Sequence, residues 1–328
     1  MEYLEFPQWD TDLDVTKRRA QLLGQLEAWI RSAALSDLAA NWNDAPVSGI
    51  SESALFDWYD EFSARHWDRR AGQERNLAAA AELSPAQESA TMAAAEAMGL
   101  LSSRRPERRH YDFTLILGGL IRACLTRPRY AREVLDSGIA IGQVAALGGF
   151  RRLAGDELDL AQSLKVTAGN EFEAMIAGLK VAFPSLGPAE VATSAALEPG
   201  NADWAIARFS GGAMTVIAAP SRDPDQRRAN TADTFAWWAD RIEDLRGKHI
   251  LLVTNPIYVP YQGAAATESL GIKFDVTVET VGISATAADL GDRTQVFGPS
   301  NYLQEIRSAI RGYKSLYAAT RRPAADAG

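Results

Sequence analysis

The distribution of apolar positions separates an N-terminal part with helical periodicity from a longer part in which strands and helices alternate. Before residue 105, apolar residues recur at spacings of three and four, as in the stripe of Leu22, Leu26 and Trp29. The segment Ser84-Pro85-Ala86-Gln87 has the residue types of a helix start with a capping box. We therefore predict an all-helical region at 1–105, with helices at about 11–40, 51–70 and 85–101.

Residues 106–320 are predicted to form a Rossmann-like α/β domain, with a mostly parallel sheet and flanking helices. The predicted strands are 112–117, 143–147, 213–219, 249–254 and 274–281, and the predicted helices are about 120–136, 170–183, 230–245, 260–270 and 301–317. A Ser-Gly-Gly turn joins residues 203–209 to residues 213–219, which predicts a hairpin and hence an antiparallel strand. Residues 321–328 are expected to form a disordered tail.

The strand within the sequence DFTLILGGLIR ends in a glycine turn that opens a helix, and Leu147-Gly148-Gly149 repeats this junction. Ligands of parallel α/β sheets bind at such strand ends, where helix N–H groups and glycines allow close approach. Arginines and glycine N–H groups suit a phosphate or a carboxylate. The candidate ligand-binding residues there are Gly118, Gly119, Arg122, Gly148, Gly149, Arg151, Arg228, Asn230, Thr231, Thr254, Asn255, Tyr258, Tyr261 and Gln262.

Each of these features also has an explanation that needs no ligand. A Gly-Gly pair can serve only as a tight turn, and Asn230 can serve only as the cap of its own helix. The tryptophans of the N-terminal region either anchor helices or line a cleft.

Composition excludes several classes of protein. The net charge of −8 provides no basic field for nucleic acid or an anionic membrane. The single cysteine, Cys124, excludes an internal disulfide, and we expect it in the core rather than as a nucleophile. The N-terminus has no signal-peptide pattern and no apolar run is long enough for a membrane span, so a cytoplasmic protein is expected. The motifs of nicotinamide-binding Rossmann folds, P-loops and α/β-hydrolases are absent.

The order of the motifs resembles that of the YdcF/SanA/ElyC family of bacterial α/β proteins. Besides the two glycine turns, the matching segments are Asn170–Met175, Asn230-Thr231 with Asp233, and Leu252–Asn255. The resemblance implies a Rossmann-like sheet with a ligand cleft at the strand ends and makes Glu171 the counterpart of the family's characteristic acid. One branch of that family binds S-adenosylmethionine, so this cofactor is also implied.

Two tyrosines depart from the family pattern. Tyr258 and Tyr261 stand where family members have a histidine and an arginine. Tyrosine offers a stacking surface and a hydroxyl group, which would suit a nucleobase.

These observations lead us to expect an enzyme, a transferase or hydrolase, that acts on a nucleotide-, nucleoside- or S-adenosylmethionine-type ligand. Glu171 and Asp233 are its candidate catalytic residues. Glu171 would serve as a general base or accept a ribose hydroxyl, and neighbouring arginines are expected to lower its pKa. The alternative is a non-catalytic sensor of such a ligand. The sequence shows no metal-binding pattern. It leaves open whether the protein forms a homo-oligomer.

Overall fold

The computed structural model describes residues 4–46, 48–68 and 82–322. The α-helices of this part of the chain are α1 Val15–Ile30, α2 Ala33–Ala40, α3 Glu52–His66, α4 Pro85–Ala97, α5 Ile121–Asp136, α6 Asp156–Ser163, α7 Glu171–Ala182, α8 Thr231–Ala239, α9 Val259–Ala266, α10 Ala285–Ala288 and α11 Pro299–Arg321. Its strands are β1 Phe113–Leu117, β2 Gln143–Gly148, β3 Ala189–Thr193, β4 Ala205–Phe209, β5 Met214–Ala218, β6 His249–Thr254 and β7 Thr277–Gly282. The predicted disorder at 323–328 and the predicted helix end near residue 70 lie outside the described residues.

The predicted α/β class with a mostly parallel sheet is confirmed. The strands of the described chain form one sheet in the order β3-β4-β5-β2-β1-β6-β7, in which β5, β2, β1, β6 and β7 are parallel neighbours. The predicted hairpin is confirmed as well, since β4 pairs antiparallel with β5. Strand β3 was not predicted. Its side chains are mostly exposed, so its sequence lacks the apolar alternation that marks a strand.

Helices α5 and α7 pack together on one face of the sheet, whereas α8 packs against β5 on the other. The two helices cross closely at Gly178, because a Cβ there would lie 1.9 Å from the carbonyl oxygen of Cys124. Cys124 is fully buried at this crossing, as expected for a core residue. Burial raises the pKa of its thiol far above the ordinary value, which disfavours the nucleophilic thiolate.

Helix α8 is shorter than predicted. It ends at Ala239 instead of about residue 245, and Asp240 is its C-cap. Arg241 then turns back, so that its guanidinium lies 3.4 Å from the centre of the Trp237 ring and donates to the Trp237 carbonyl. The apolar residues that follow therefore do not continue the helix.

The chain divides into two compact units. One contains Met1–Ser102, Pro256–Glu268 and Val296–Gly328, and the other contains Ser103–Asn255 and Ser269–Gln295. We call the first the helical unit and the second the sheet unit. The predicted division into domains at 1–105 and 106–320 stays a prediction.

The helical unit is organised around α11, which packs against α1, α3, α4 and α9. The rings of Trp29 and Tyr313 meet edge to face with their centroids 4.7 Å apart. Trp29 and Trp67 are fully buried, as expected of tryptophans that anchor helices. The capping box predicted at Ser84 and Gln87 is confirmed at the start of α4.

Candidate functional site

The glycine turns after β1 and β2 allow segments of the chain itself to approach closely. A Cβ on Gly118 would lie 2.2 Å from Oε1 of Glu171 and 2.4 Å from the carbonyl oxygen of Leu147. A Cβ on Gly148 would lie 3.1 Å from the Cα of Phe172, whereas one on Gly149 would meet nothing within 4 Å. Packing within the protein therefore explains Gly118 and Gly148 without a ligand.

The carboxylate of Glu157, a residue of α6, accepts a hydrogen bond from the first turn of α5. Leu120 provides no capping side chain, and the Ile121 N–H donates instead to Oε1 of Glu157 at 2.9 Å. Arg151 donates to both oxygens of Glu157, at 2.7 and 2.9 Å. Burial opposes ionisation of Glu157, but the hydrogen bonds from Arg151 and Ile121 outweigh it and lower the pKa. A carboxylate of the chain thus occupies the position predicted for a ligand anion.

Two of the three arginines predicted to bind the ligand, Arg122 and Arg151, form hydrogen bonds within the protein. Arg122 donates to Asp156 at 3.0 Å and to the Arg293 carbonyl at 2.9 Å. Arg151 donates not only to Glu157 but also to the Gly119 carbonyl at 2.9 Å. No helix or strand was predicted between residues 149 and 170, so the acidic residues of α6 that pair with these arginines were missed.

Arg127 on α5 is a buried cation that sequence analysis also missed. Its Nη1 donates to the carbonyls of Leu117, at 2.8 Å, and Gly118, and its Nε donates to Oδ1 of Asn255 at 2.8 Å. It therefore ties the end of β1 to the residue that follows β6. A charged residue on the buried stripe of a predicted helix was the available signal, because such residues are rarely buried without a partner.

Glu171, the first residue of α7, is the central carboxyl group of these strand ends. Its side chain is 14% exposed, and its Oε2 lies 3.5 Å from Nε of Arg151. Burial raises the pKa of Glu171, although the positive charges of Arg151, Arg228 and Arg127 act to lower it. The expected fall in pKa is therefore wrong, since the cost of removing the carboxylate from water exceeds the attraction of the arginines.

The residues predicted at the start of α8 form a helix cap. Asn230 and Asp233 make a reciprocal capping box, and Thr231 is the first helical residue. Arg227 donates to Asp233, which is buried. Burial opposes its ionisation, but the Arg227 and Asn230 hydrogen bonds prevail and lower the pKa of Asp233. Arg228 and Asn230 are exposed.

Thr254 and Asn255 are buried at the end of β6. Asn255 accepts the hydrogen bond from Arg127 already described. The Thr254 hydroxyl has no hydrogen-bond partner within the described residues.

Tyr258, Tyr261 and Gln262 belong to the helical unit. The Tyr258 ring meets Phe297 edge to face at 6.0 Å, and Tyr261 lies against Gly312 of α11, where a Cβ would be 3.3 Å from the tyrosine ring. The side-chain amide oxygen of Gln262, Oε1, is buried and has no hydrogen-bond partner among the described residues. Their contact with a ligand ring stays a prediction.

Neither a metal-binding cluster nor a membrane-spanning helix is found among the described residues. They contain no group of three or more histidine, cysteine, aspartate or glutamate side chains placed to hold a metal ion. None of their helices has both the length and the apolar character needed to cross a membrane.

The fold and this cluster define an α/β protein with a half-buried glutamate, Glu171, among arginines at the carboxyl ends of parallel strands. Residues 14–99 match the family model described as the Rv3785 N-terminal domain. The chain is 30% identical over 319 residues to the uncharacterized proteins Rv3785 of Mycobacterium tuberculosis and Mb3814 of Mycobacterium bovis. The alignment covers 89% of this chain and 88% of each relative, so the chain belongs to the Rv3785 family. No solved structure matches it.

The resemblance to the YdcF/SanA/ElyC family is therefore wrong. The matching motifs were short, and the structure gives two of them a local cause that many parallel α/β sheets would share. Gly118 accommodates Glu171 and the β2 backbone, while Asn230 and Asp233 cap a helix.

Proposed function

We propose that the protein is an enzyme that acts on a nucleotide-, nucleoside- or S-adenosylmethionine-type ligand at the carboxyl ends of the strands. The cytoplasm is the compartment that its single cysteine favours. Glu171 is the group that transfers a proton, and Arg228 and Asn230 bind the polar part of the ligand. Transferase and hydrolase chemistry are the two reaction classes to test.

One observation carries this proposal: Glu171 remains partly accessible and has a raised pKa despite three neighbouring arginines. A carboxyl group whose pKa moves towards neutrality can both donate and accept a proton near physiological pH. Perturbed carboxyl groups at strand ends are common at functional sites. Asp233 is a weaker candidate because Arg227 and the helix cap already occupy its oxygens.

The hydrogen bonds at the strand ends also limit the positions at which an anionic group of the ligand could bind. The first turn of α5 already holds the Glu157 carboxylate, so a phosphate there would have to displace an internal ion pair. Arg228 is exposed, and its charge acts on Glu171. It is therefore the cation we assign to the ligand, in preference to Arg122 or Arg151.

The ligand must be identified before turnover can be measured. Mass spectrometry of the denatured protein would detect a co-purified nucleotide, and incubation with ATP, adenosine and S-adenosylmethionine would reveal products. We then expect Glu171→Gln to lower turnover by about 10²- to 10⁴-fold, the usual contribution of a general acid or base, and to leave ligand affinity nearly unchanged. Arg228→Gln should weaken ligand binding more than it slows turnover.

Glu173→Gln is the matched control, since Glu173 lies on the same helix and is exposed. Unchanged turnover in the Glu171 variant would remove this residue from the mechanism. Equal losses in both variants would indicate a structural effect of altering α7.

A non-catalytic sensor is the second candidate, favoured by the engagement of Asp233, Arg122 and Arg151 within the protein. Saturable binding of one of these ligands without any product would support it over the enzyme.

A further inference from the structure

A cavity of about 150 Å³ lies between α8 and the sheet. It is lined by the first residue of β1 and by residues near the amino ends of β2 and β5, together with Ile206 of β4. The amino ends of these strands lie at the edge of the sheet opposite to the carboxyl ends, where Glu171 begins α7. The cavity is therefore separate from the site of the proposed function.

The cavity exists because small residues meet the early end of α8. Ala145 and Gly212 contribute little volume to its wall, and the helix stops at Ala239. Trp238, near the last turn, and the following Arg241 and Ile242 line the space that a longer helix would cover.

The walls of the cavity are partly polar and partly apolar, and the apolar part includes two aromatic rings. Phe113, Ala145, Ile206, Ile217 and Trp238 line it, and each side chain is largely buried. The rings of Phe113 and Trp238 meet edge to face, with centroids 5.3 Å apart. An apolar protein cavity of about 150 Å³ is large enough for one benzene ring.

Two arginines also line this cavity, Arg208 of β4 and Arg241. Among the described residues, neither forms an ion pair, although Glu190 stands opposite Arg208 in the strand pairing. The guanidinium of Arg241 is held in place by its stacking on Trp237 and by a 2.8 Å hydrogen bond to the Trp237 carbonyl. Both side chains are exposed, and partial desolvation lowers the pKa of Arg241 although the nearby charge of Asp240 acts to raise it.

We propose that this cavity binds a small aromatic carboxylate, with the single ring between Phe113 and Trp238 and the carboxylate on Arg208 and Arg241. The apolar volume fits one ring, and guanidinium groups are suited to bind a carboxylate through paired hydrogen bonds. A neutral aromatic molecule of the same size would enter the cavity but would gain no charge attraction from the two arginines.

The test uses the full-length protein with 4-fluorobenzoate and the neutral 4-fluorobenzyl alcohol, observed by fluorine NMR. We expect saturable binding of the benzoate and weaker binding of the alcohol. Replacing both cations, Arg208→Gln with Arg241→Gln, should weaken benzoate binding by about tenfold or more, since hydrogen bonds between charged groups are lost. Binding of the alcohol should change little.

Arg246→Gln is the matched control, because Arg246 is exposed and does not line the cavity. A second variant, Ala145→Leu, should fill the cavity and abolish binding of both probes. If this variant does not fold, the two arginine replacements still decide the outcome.

Three results would overturn the proposal. They are the absence of saturable benzoate binding, unchanged benzoate affinity in the double arginine variant, and undiminished binding by a folded Ala145→Leu protein.

Discussion

The buried ion pair between Arg151 and Glu157 permits a quantitative test, because the chain also has an exposed pair with the same shortest N–O distance. Both pairs have a shortest N–O distance of 2.7 Å. The side chains of Arg151 and Glu157 are 19% and 3% exposed, whereas those of Arg152 and Glu198 are 75% and 81% exposed. The two pairs therefore differ in burial and also in hydrogen bonding, since Glu157 accepts two bonds from Arg151 and one from the Ile121 N–H.

Glu157→Gln should destabilise the protein much more than Glu198→Gln. Removing one partner of a buried pair costs about 3–5 kcal/mol, and we expect the lower end because Arg151 is partly accessible. An exposed pair contributes about 0–1 kcal/mol. For a protein of 328 residues, a loss of about 3 kcal/mol corresponds to a fall in Tm of roughly 4 °C.

The assay is urea unfolding of both variants, monitored by circular dichroism. The pKa of Glu157 is lowered in the folded state, so its stabilising effect is full above its ordinary pKa of 4.5 and is lost as the pH falls through the lower folded value. The difference between wild type and Glu157→Gln should therefore be large at pH 7 and shrink in acid. Equal losses in the two variants would refute the reasoning that burial determines the strength of the pair.

Three further predictions concern the same strand ends. Gly118→Ala should destabilise the protein by about 1–3 kcal/mol, because the added Cβ would meet the β2 backbone. Gly149→Ala should stay within about 1 kcal/mol of wild type, because its Cβ would meet nothing. Equal losses of Tm in the two variants would contradict this prediction. Because the pKa of Glu171 is raised in the folded state, the folded protein loses stability as the pH rises from 4.5 through that pKa. The Glu171→Gln variant should therefore gain stability relative to wild type above pH 4.5. Parallel curves of stability against pH for the two proteins would disprove this prediction. Arg127→Met should lower the free energy of unfolding, measured in urea, by about 2–4 kcal/mol, since three hydrogen bonds of a buried cation are lost. An unchanged urea midpoint of unfolding would show that Arg127 does not stabilise the strand ends.

The pattern of the sequence predicted most of the sheet because its central strands are buried runs of apolar residues. Strand β6 begins and ends where the sequence placed it, and the hairpin followed from two glycines with positive φ angles, Gly211 and Gly212. Strand β3 and helix α6 were missed. Both are short, and one is an exposed edge, so local periodicity carries little information about them.

The site was harder to predict because its important contacts join distant parts of the sequence. The glycine turns, Arg151 and Glu171 were identified as members of one cluster, and the structure brings them together. The pairing of Arg151 with Glu157 depends on a short helix that the sequence did not reveal. The direction of the Glu171 pKa could not be predicted either, because it depends on the balance of burial and charge in the folded protein.

The division of the chain between the two units has a consequence for its synthesis. The segment that matches the family model ends at residue 99, yet α1, α3 and α4 pack against α11, which begins at Pro299. The ring contact of Trp29 with Tyr313 cannot form until α11 has left the ribosome. We therefore expect a fragment that stops near residue 102 to expose apolar helix faces and aggregate. Helices α1, α3 and α4 should complete their packing only after α11 has been synthesised.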